Sequence, residues 1–561
     1  MAIVALIPGI WSLPLIDHQE PHFSHATVEM IERGEWVTPY FNNEHHLATP
    51  PLTNWWMRAN FALFGINETG ARMHSIQASW LIALLLFRFA RRLGLDQRMA
   101  FLTGFGWLTT LQVLIHSRLA VADMPLVLFL LLTMTTLHQV MHQEVKTKHT
   151  LSLSLWLAMG FLTKGPLAYA IPQTALLFTF ILSWWQGRQE SSKNQKATNT
   201  LASQKLSLWK AQKALFIALI PSLLMISLWA VPALSETKGA FLTEIGKPFN
   251  EQILKPTKQR FSFPWLYHLL IIIPFLLPWS AQLPATLKKS LQLPTLDSRF
   301  LLGWFVAPFL VFTFSPTQLP QQLLPAYPAF FLLFALNFRK KITLGRFGKF
   351  IRNSALAFPA LLGIFLFILG LTQVTRGREA LDLAFMITLS GGAFLSLAII
   401  GAAAMRREKI ARFAIISAFI SFTIFLLLAT AIARNAHLTL RLKETTGLSK
   451  GTLTAVGYQD PSLVWYFDNF QDRKQNGFWN ILDLADLPPE IDSLTIVVKR
   501  RWQINRNSAW PLLSLKKEIP TTDDNTQALV AKFGQKRIEQ AEVVSGWSSA
   551  TSSWIEALIL R

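Results

Sequence analysis

Between Asp17 and Trp56 the chain gathers residue types able to do acid–base and anion chemistry: the carboxylates Asp17 and Glu20, and the imidazoles His18, His22, His25, His45 and His46. A carboxylate can take or orient the proton of a hydroxyl. A protonated imidazole can hold an anion, and its unperturbed pKa near 6.5 would make such binding pH-dependent. Spacings of four and three could bring His18, His22 and His25 onto one helix face, whereas the adjacent His45 and His46 would point apart in a strand. Zinc requires three or four converging ligands. Solvent-exposed imidazoles are the simpler reading, so neither a metal nor any other cofactor is expected.

These residues need elements to position them. A short apolar run, Ile3 to Ile16, precedes the loop. From Glu20 to Arg33, Phe23, Ala26, Met30 and Ile31 recur at helical spacing, and Gly34 stands where a C-cap would be. Leu52, Trp55, Trp56, Ala59 and Leu63 repeat the pattern between Pro50-Pro51 and Gly65. Two interfacial helices are therefore expected, each burying one face at the headgroup boundary, where tryptophan is favoured. Such a lid over carboxylates just outside a span would let a lipid-borne substrate meet a water-soluble group; the competing reading is a cap without catalytic function.

The rest of the chain is a membrane sequence. Of its 561 residues 51% are hydrophobic and 15% charged, with a mean hydropathy of +0.33, too apolar for an ordinary soluble protein. The net charge of +21 comes in short clusters between apolar runs rather than in one stripe, so it does not signal nucleic acid. Absence of cysteine excludes disulfides and thiolate metal sites. The N-terminal run lacks a basic n-region and a cleavage site, and reads as a retained first span.

About thirteen spans are expected from stretches of roughly twenty apolar residues: 1–16, 73–90, 99–116, 124–141, 151–163, 166–185, 214–233, 265–284, 300–315, 321–338, 353–373, 384–404 and 411–432. Alternate connections carry the basic clusters, at Arg88–Arg98, Lys193–Lys213, Arg339–Arg352 and Arg406–Arg412. The positive-inside rule assigns these to the cytoplasm. The loop 17–72, the turn at Asp123, Leu234–Pro264 and the tail then lie outside, with a cytoplasmic N-terminus. Glu190–Gln204 reads as a disordered linker. After about Arg434 short β-prone runs appear, as at Ser493–Lys499 and Ala541–Val544, with a polar and aromatic stretch, a candidate helix, near 470–490. The fold class expected is thus an α-helical polytopic membrane protein, residues 1–433, followed by a small α/β domain, residues 434–561.

The order Glu20-Pro21-x-Phe23, Met30-Ile31-x-Arg33-Gly34-Glu35-Trp36-Val37-Thr38-Pro39, Phe41-Asn42 and Pro50-Pro51-Leu52-x-x-Trp55 resembles the first loop of lipid-linked glycosyltransferases of the C-type superfamily. Within that superfamily it looks most like the aminoarabinose transferase of lipid A and its protein mannosyltransferase relatives. The resemblance continues through Arg118 to Pro125 (RLAVADMP), Leu162 to Pro166 (LTKGP), Leu319 to Pro328 (LPQQLLPAYP), Tyr458 to Tyr466 (YQDPSLVWY) and Val544-Ser545-Gly546. It implies the C-type fold and inverting transfer of a sugar from a polyprenyl phosphate carrier to a lipid, glycan or protein acceptor at the outer face of a bacterial inner membrane.

At the family's Asp-Glu-x-Arg positions this chain has Gln19, Glu20 and His22. Thr49 replaces the lysine before Pro-Pro, and Gln318, Gln321 and Gln322 stand at basic or polar positions. A neutral amide cannot act as a base. Asp123, matching the second family acid, and Lys164 are retained. One reading shifts the site: Asp17, Glu20 and Asp123 supply carboxylates while His22, Arg118, Lys164 and one of Lys247, Lys255, Lys258 or Arg260, with Arg260 preferred, hold phosphate. A second keeps the fold as a noncatalytic lipid-binding partner. A transporter would need inverted repeats and midplane charges, and the ionisable residues here sit at span ends instead. Simpler structural readings stand beside these: Asp123 could cap the helix it starts, and Lys164 could snorkel to the interface.

Overall fold

The structure, a computed structural model, describes residues 6–338 apart from 8–9, 12, 16–18, 42–43, 48, 192–194, 242–263, 278, 294 and 314–317. It also describes a few positions in 346–368 and, from the tail, 437–446, 453–456, 461–467, 481–482, 494–504, 515–518, 535–548 and 553–560. The three spans expected within 353–432 lie outside the described residues, save for isolated positions of the first of them.

Helix α1 (Gln19–Arg33) and α2 (Leu52–Phe64) carry the first loop, with a short ribbon of β1 (Tyr40–Phe41) and β2 (Glu44–His45) between them. The bundle then runs α3 (Glu68–Arg92), α4 (Gln97–Leu108), α5 (Leu111–His116), α6 (Asp123–His142), α7 (Thr147–Lys164), α8 (Leu167–Ser191) and α9 (Gln195–Glu236). It continues with α10 (Pro264–Phe275), α11 (Leu283–Gln292), α12 (Leu296–Thr313) and α13 (Tyr327–Asn337). Five of the described helices are long and apolar enough to cross a membrane, α3, α6, α8, most of α9 and α12, or six if α10 and the bent segment after it form one span.

Several expected spans are broken, for local reasons. The stretch 99–116 divides into α4 and α5 at Thr109-Thr110, whose hydroxyls turn back onto the carbonyls of Phe105 and Gly106. The stretch 265–284 bends by 120° between its two helical parts, where Pro274 removes a ladder donor. By contrast, the described part of the linker expected at Glu190–Gln204 is helical, closing α8 and opening α9. Its Gln, Lys, Ala and Leu residues are good helix formers, and they extend an apolar helix already nucleated. Close packing of α8 on α12 depends on Gly303, where a Cβ would run into the carbonyl of Ala175 and the hydroxyl of Thr179.

The expected interfacial position of α1 is not what the structure has. Its polar side as well as its apolar side is covered, with Glu20, Ser24, His25, Thr27 and Glu29 all buried. Phe23 and Val28 join Met57 and Phe61 of α2 in one apolar cluster. Trp465 packs on the same cluster, its ring stacked 6.3 Å from Phe61. It belongs to α15 (Pro461–Phe467), a tail helix preceded by α14 (Leu438–Thr446). Tyr466, next to it, accepts from the Leu15 amide at 2.9 Å and donates to Glu68 at 3.1 Å. The apolar face of α1 meets α2 and Trp465, and its polar residues are engaged within the protein, Glu20 by Arg72 and the Ala120 amide and Thr27 by Asn54. α2 leaves Leu63, Phe64 and, beyond it, Ile66 exposed.

Glu20 and Arg72 anchor this assembly. Arg72 donates from Nε to Glu20 Oε1 (2.8 Å) and from Nη2 to Oε2 (3.0 Å). Its remaining donors reach the carbonyls of Ile10 (3.0 Å), Leu13 (2.7 Å) and Pro14 (2.6 Å). Glu20 Oε1 also accepts from the Ala120 amide at 2.8 Å. On the other side of α1, His46 packs against His22, Phe23 and Phe41, its ring stacked on His22 at 5.4 Å.

The tail carries a six-stranded mixed sheet in the order β4-β3-β5-β8-β7, with β6 on β5. β3 (Leu453–Val456) is parallel to β4 (Ile481–Leu482) and to β5 (Leu494–Ile504). β6 (Leu515–Glu518), β7 (Glu542–Ser548) and β8 (Ser553–Leu560) pair antiparallel. A short α16 (Gln535–Glu539) precedes β7. Leu438, Leu442, Leu463 and Phe467 of the helices pack on Val544, Ala557 and Ile559 of the sheet. A small α/β unit with strands at 493–499 and 541–544 is therefore present, the strands running somewhat further than expected.

Replacing Glu20 by Gln leaves the buried Arg72 charge uncompensated and should cost about 3–5 kcal/mol of stability. Arg72→Met should cost a comparable amount, and the double variant should lose less than the sum; unfolding of the detergent-solubilised protein measures all three, and additive losses would contradict the coupling. Loss of surrounding water pushes the His46 imidazole down to about 4. The unfolded chain then binds this proton where the folded one does not, so stability should fall as pH drops from about 6.5 towards 4 and be unaffected above that window. A His46→Phe variant should show a flatter loss in thermal unfolding over the same range.

Candidate active site

Two helix ends meet at the candidate site. α6 begins with Asp123 in its first turn and α7 ends with Lys164 in its last. The helix dipole favours a carboxylate at an N-terminus and a cation at a C-terminus, so both charges sit where the backbone field suits them. The Lys-Gly-Pro sequence has a mechanical reason: Gly165 ends α7 at φ 69°, a conformation costly for a side-chain-bearing residue, and Pro166 starts the turn into α8.

Lys164 Nζ donates to Asp123 Oδ1. That contact answers both simpler readings. Asp123 makes no side-chain cap for α6, which begins after Ala122, and the lysine head turns to a carboxylate rather than outward. The pair faces a cavity of about 570 Å³ including its open mouth. One part of the lining is apolar, Leu126, Val127, Leu167, Phe312, Leu324 and Pro325; the other is Gln19, Gln321 and Gln322 with the ion pair. Gln322 is held by His268 Nε2 at 2.9 Å and accepts from the Leu319 amide at 3.1 Å. A cavity with an apolar side and a few convergent polar groups suits an amphiphilic ligand. The ammonium can meet an anion and the carboxylate can accept a proton.

The other sequence candidates lie elsewhere. Glu20 is fully buried and engaged by Arg72 and the Ala120 amide. His22 is half-buried against Phe41 and His46, and neither it nor Glu20 lines the cavity. Arg118 is buried beside the loop that leads to Asp123, donating to the Leu114 carbonyl at 2.6 Å, and burial pushes its guanidinium down to about 9. It too is outside the lining. His25 pairs with Glu29 at 3.1 Å, and His18, the third of the histidines expected on one helix face, lies outside the described residues. Asp17, His18, Lys247, Lys255, Lys258 and Arg260 lie outside the described residues.

Sequence reading missed Arg72 and His268. A charged residue opening an apolar stretch was the available signal for Arg72. Nothing in the sequence linked His268 to Gln322, 54 residues away.

Comparisons with known proteins agree with this architecture. Residues 18–233 match the family model described as dolichyl-phosphate-mannose-protein mannosyltransferase. The undecaprenyl phosphate-α-4-amino-4-deoxy-L-arabinose arabinosyl transferase of Edwardsiella ictaluri is 27% identical over 364 residues, 64% of this chain and 61% of that protein. The corresponding transferase 1 of Pseudomonas fluorescens is 26% identical, over 64% of this chain and 62% of its own length. The chain thus spans about three fifths of the curated relatives it matches. The crystal structure of ArnT from Cupriavidus metallidurans bound to undecaprenyl phosphate superposes with a TM-score of 0.67 at 16% identity, covering 99% of this chain and 96% of that one. The chain thus shares the fold of that transferase structure along nearly its whole length, and over residues 18–233 it is similar to the protein mannosyltransferase family.

Proposed function

We propose that the protein is an integral membrane glycosyltransferase of the bacterial inner membrane, moving a sugar from a polyprenyl phosphate to an acceptor hydroxyl at the periplasmic face. The observation that carries this reading is the Asp123–Lys164 pair facing a cavity with a polar and an apolar side. The acceptor oxygen attacks the anomeric carbon as the bond to the lipid phosphate breaks, which inverts the sugar. Asp123 takes the acceptor proton. Lys164 meets the negative charge that develops on the departing phosphate. The apolar wall leaves room for the first isoprene units of the carrier.

Asp123 is the described carboxylate at the cavity; Asp17 remains the candidate for a second, and Arg260 for a further phosphate ligand. Glu20 acts in this scheme by holding the loop from Ala120 to Asp123 in place. Arg91 and Arg92 close α3 at its C-terminal end, remote from Asp123 and Lys164. By the positive-inside rule that end is cytoplasmic and the cavity periplasmic, with residues 434–561 forming a periplasmic domain. Lipid A, another lipopolysaccharide group, another glycan and a protein are the acceptors compatible with this site.

A second reading rests on Gln19, Gln321 and Gln322. They line the cavity where the family has charged or polar groups, and a protein with these amides could bind the lipid without catalysis.

Asp123→Asn should lower sugar transfer from radiolabelled membrane lipid by about 10²- to 10⁴-fold, leaving polyprenyl phosphate binding intact. The exposed tail variant Lys536→Gln should transfer normally. Absence of transfer by folded protein with every polyprenyl phosphate donor, together with full biological activity of Asp123→Asn, would establish the noncatalytic reading. Lys164→Met should weaken binding of polyprenyl phosphate about ten- to a hundredfold, as loss of a charged hydrogen bond implies, in a tryptophan-quenching titration; unchanged binding would remove Lys164 from the phosphate site.

A further inference from the structure

Far from the cavity, His138 and His142 stand four residues apart on α6 and share one face of the helix. Across from them, Asp297 lies in the first turn of α12. Both imidazoles turn Nε2 to the same carboxylate oxygen, at 2.8 Å from His138 and 2.7 Å from His142. The two rings are 4.5 Å apart, and one ligand atom from each residue falls within 4.8 Å of the other two. Fifteen residues of helix separate this cluster from Asp123, about 22 Å at the helical rise.

We propose that His138, His142 and Asp297 form a binding site for a divalent transition metal, with zinc as the fitting ion. Two imidazole nitrogens and a carboxylate oxygen are a common zinc ligand set, with bonds of about 2.0–2.2 Å and hence donor atoms some 3.3–3.5 Å apart in a tetrahedron. Each imidazole nitrogen already stands within about an ångström of that spacing from the carboxylate oxygen, and all three donors lie within 4.8 Å of one another. Hard cations such as magnesium prefer all-oxygen sites and are disfavoured here. The two histidines differ in a useful way. His138 is buried, its ring against Phe89 and Phe300, which holds its direction. His142 is exposed, so an ion can enter from solvent and water can complete the fourth position.

The ion would tie the last turn of α6 to the first turn of α12. At their other ends these helices contribute Asp123 and Phe312 to the cavity. A metal bridge at the far end therefore fixes the relative position of two cavity walls, a structural function independent of the reaction proposed above. The competing outcome is an ion-pair cluster in which imidazolium takes the place of metal.

The test uses the full-length, tag-free protein in detergent, stripped with EDTA and titrated with cobalt(II) and zinc(II). One equivalent of cobalt should develop a tetrahedral visible spectrum, zinc should displace it, and zinc should raise the unfolding temperature. His142→Gln, at the exposed position and so least prone to misfolding, and Asp297→Asn should each weaken binding by roughly tenfold or more. His45→Asn and His46→Asn, at the opposite end of the molecule, should bind as the parent does. Absence of a saturable cobalt spectrum, or equal binding by the parent, His142→Gln and Asp297→Asn, would overturn the site. Loss of binding only in the His45 and His46 variants would do so as well, by moving the ion to the first loop.

Discussion

A guanidinium buried without water must find an acceptor for each of its donors, or the cost of removing it from solvent exceeds what folding can supply. Arg72 meets that demand with both oxygens of Glu20 and three carbonyls from Ile10 to Pro14. Three parts of the chain are thereby held at one point: the end of the first apolar segment, the start of α1 and the start of α3. Glu20 adds a fourth through the Ala120 amide. Asp123 follows three residues later, so the candidate site inherits its position from this ion pair.

The tail is tied into the same junction. Tyr466 links Leu15 and Glu68, and burial beside Glu68 pushes its phenol well above the ordinary range, so it remains a neutral donor at any physiological pH. Trp465 covers the cluster that α1 and α2 build. This gives the YQDPSLVWY segment a physical reason: an apolar ring and a hydroxyl, side by side on a short helix, seal the first loop against the bundle. The site thus has a rigid support on one side, and on the other the amides and proline of the Pro320–Ala326 turn.

Much of this could be seen in the residues. The apolar stretches located α3, α6, α8, α9 and α12, and the β-prone runs located β5 and β7. Asp123 and Lys164 stood at the starts and ends of such stretches, where charge is tolerated, and the structure joins them. A carboxylate in a loop looks accessible until its partner is known, and the partner of Glu20, Arg72, is 52 residues distant. The amphipathicity of α1 reports that one face is apolar and is silent on whether its polar face meets water or other parts of the protein. Breaks at Thr109-Thr110 and Pro274 were invisible to a hydropathy window, which averages over the residues that interrupt the ladder.

Composition and period alone determined that this chain is a helical membrane protein with a small α/β tail, since apolar length and strand alternation are local properties read directly from the residues. They also determined that an acid and a lysine flank the ends of adjacent spans. Tertiary structure decided which charges border a cavity. Glu20 and Asp123 are the same kind of group, yet one is surrounded by a buried arginine and an amide while the other faces a cavity. The difference lies in partners brought together across tens of residues, and a linear pattern does not encode which of two carboxylates an arginine will meet.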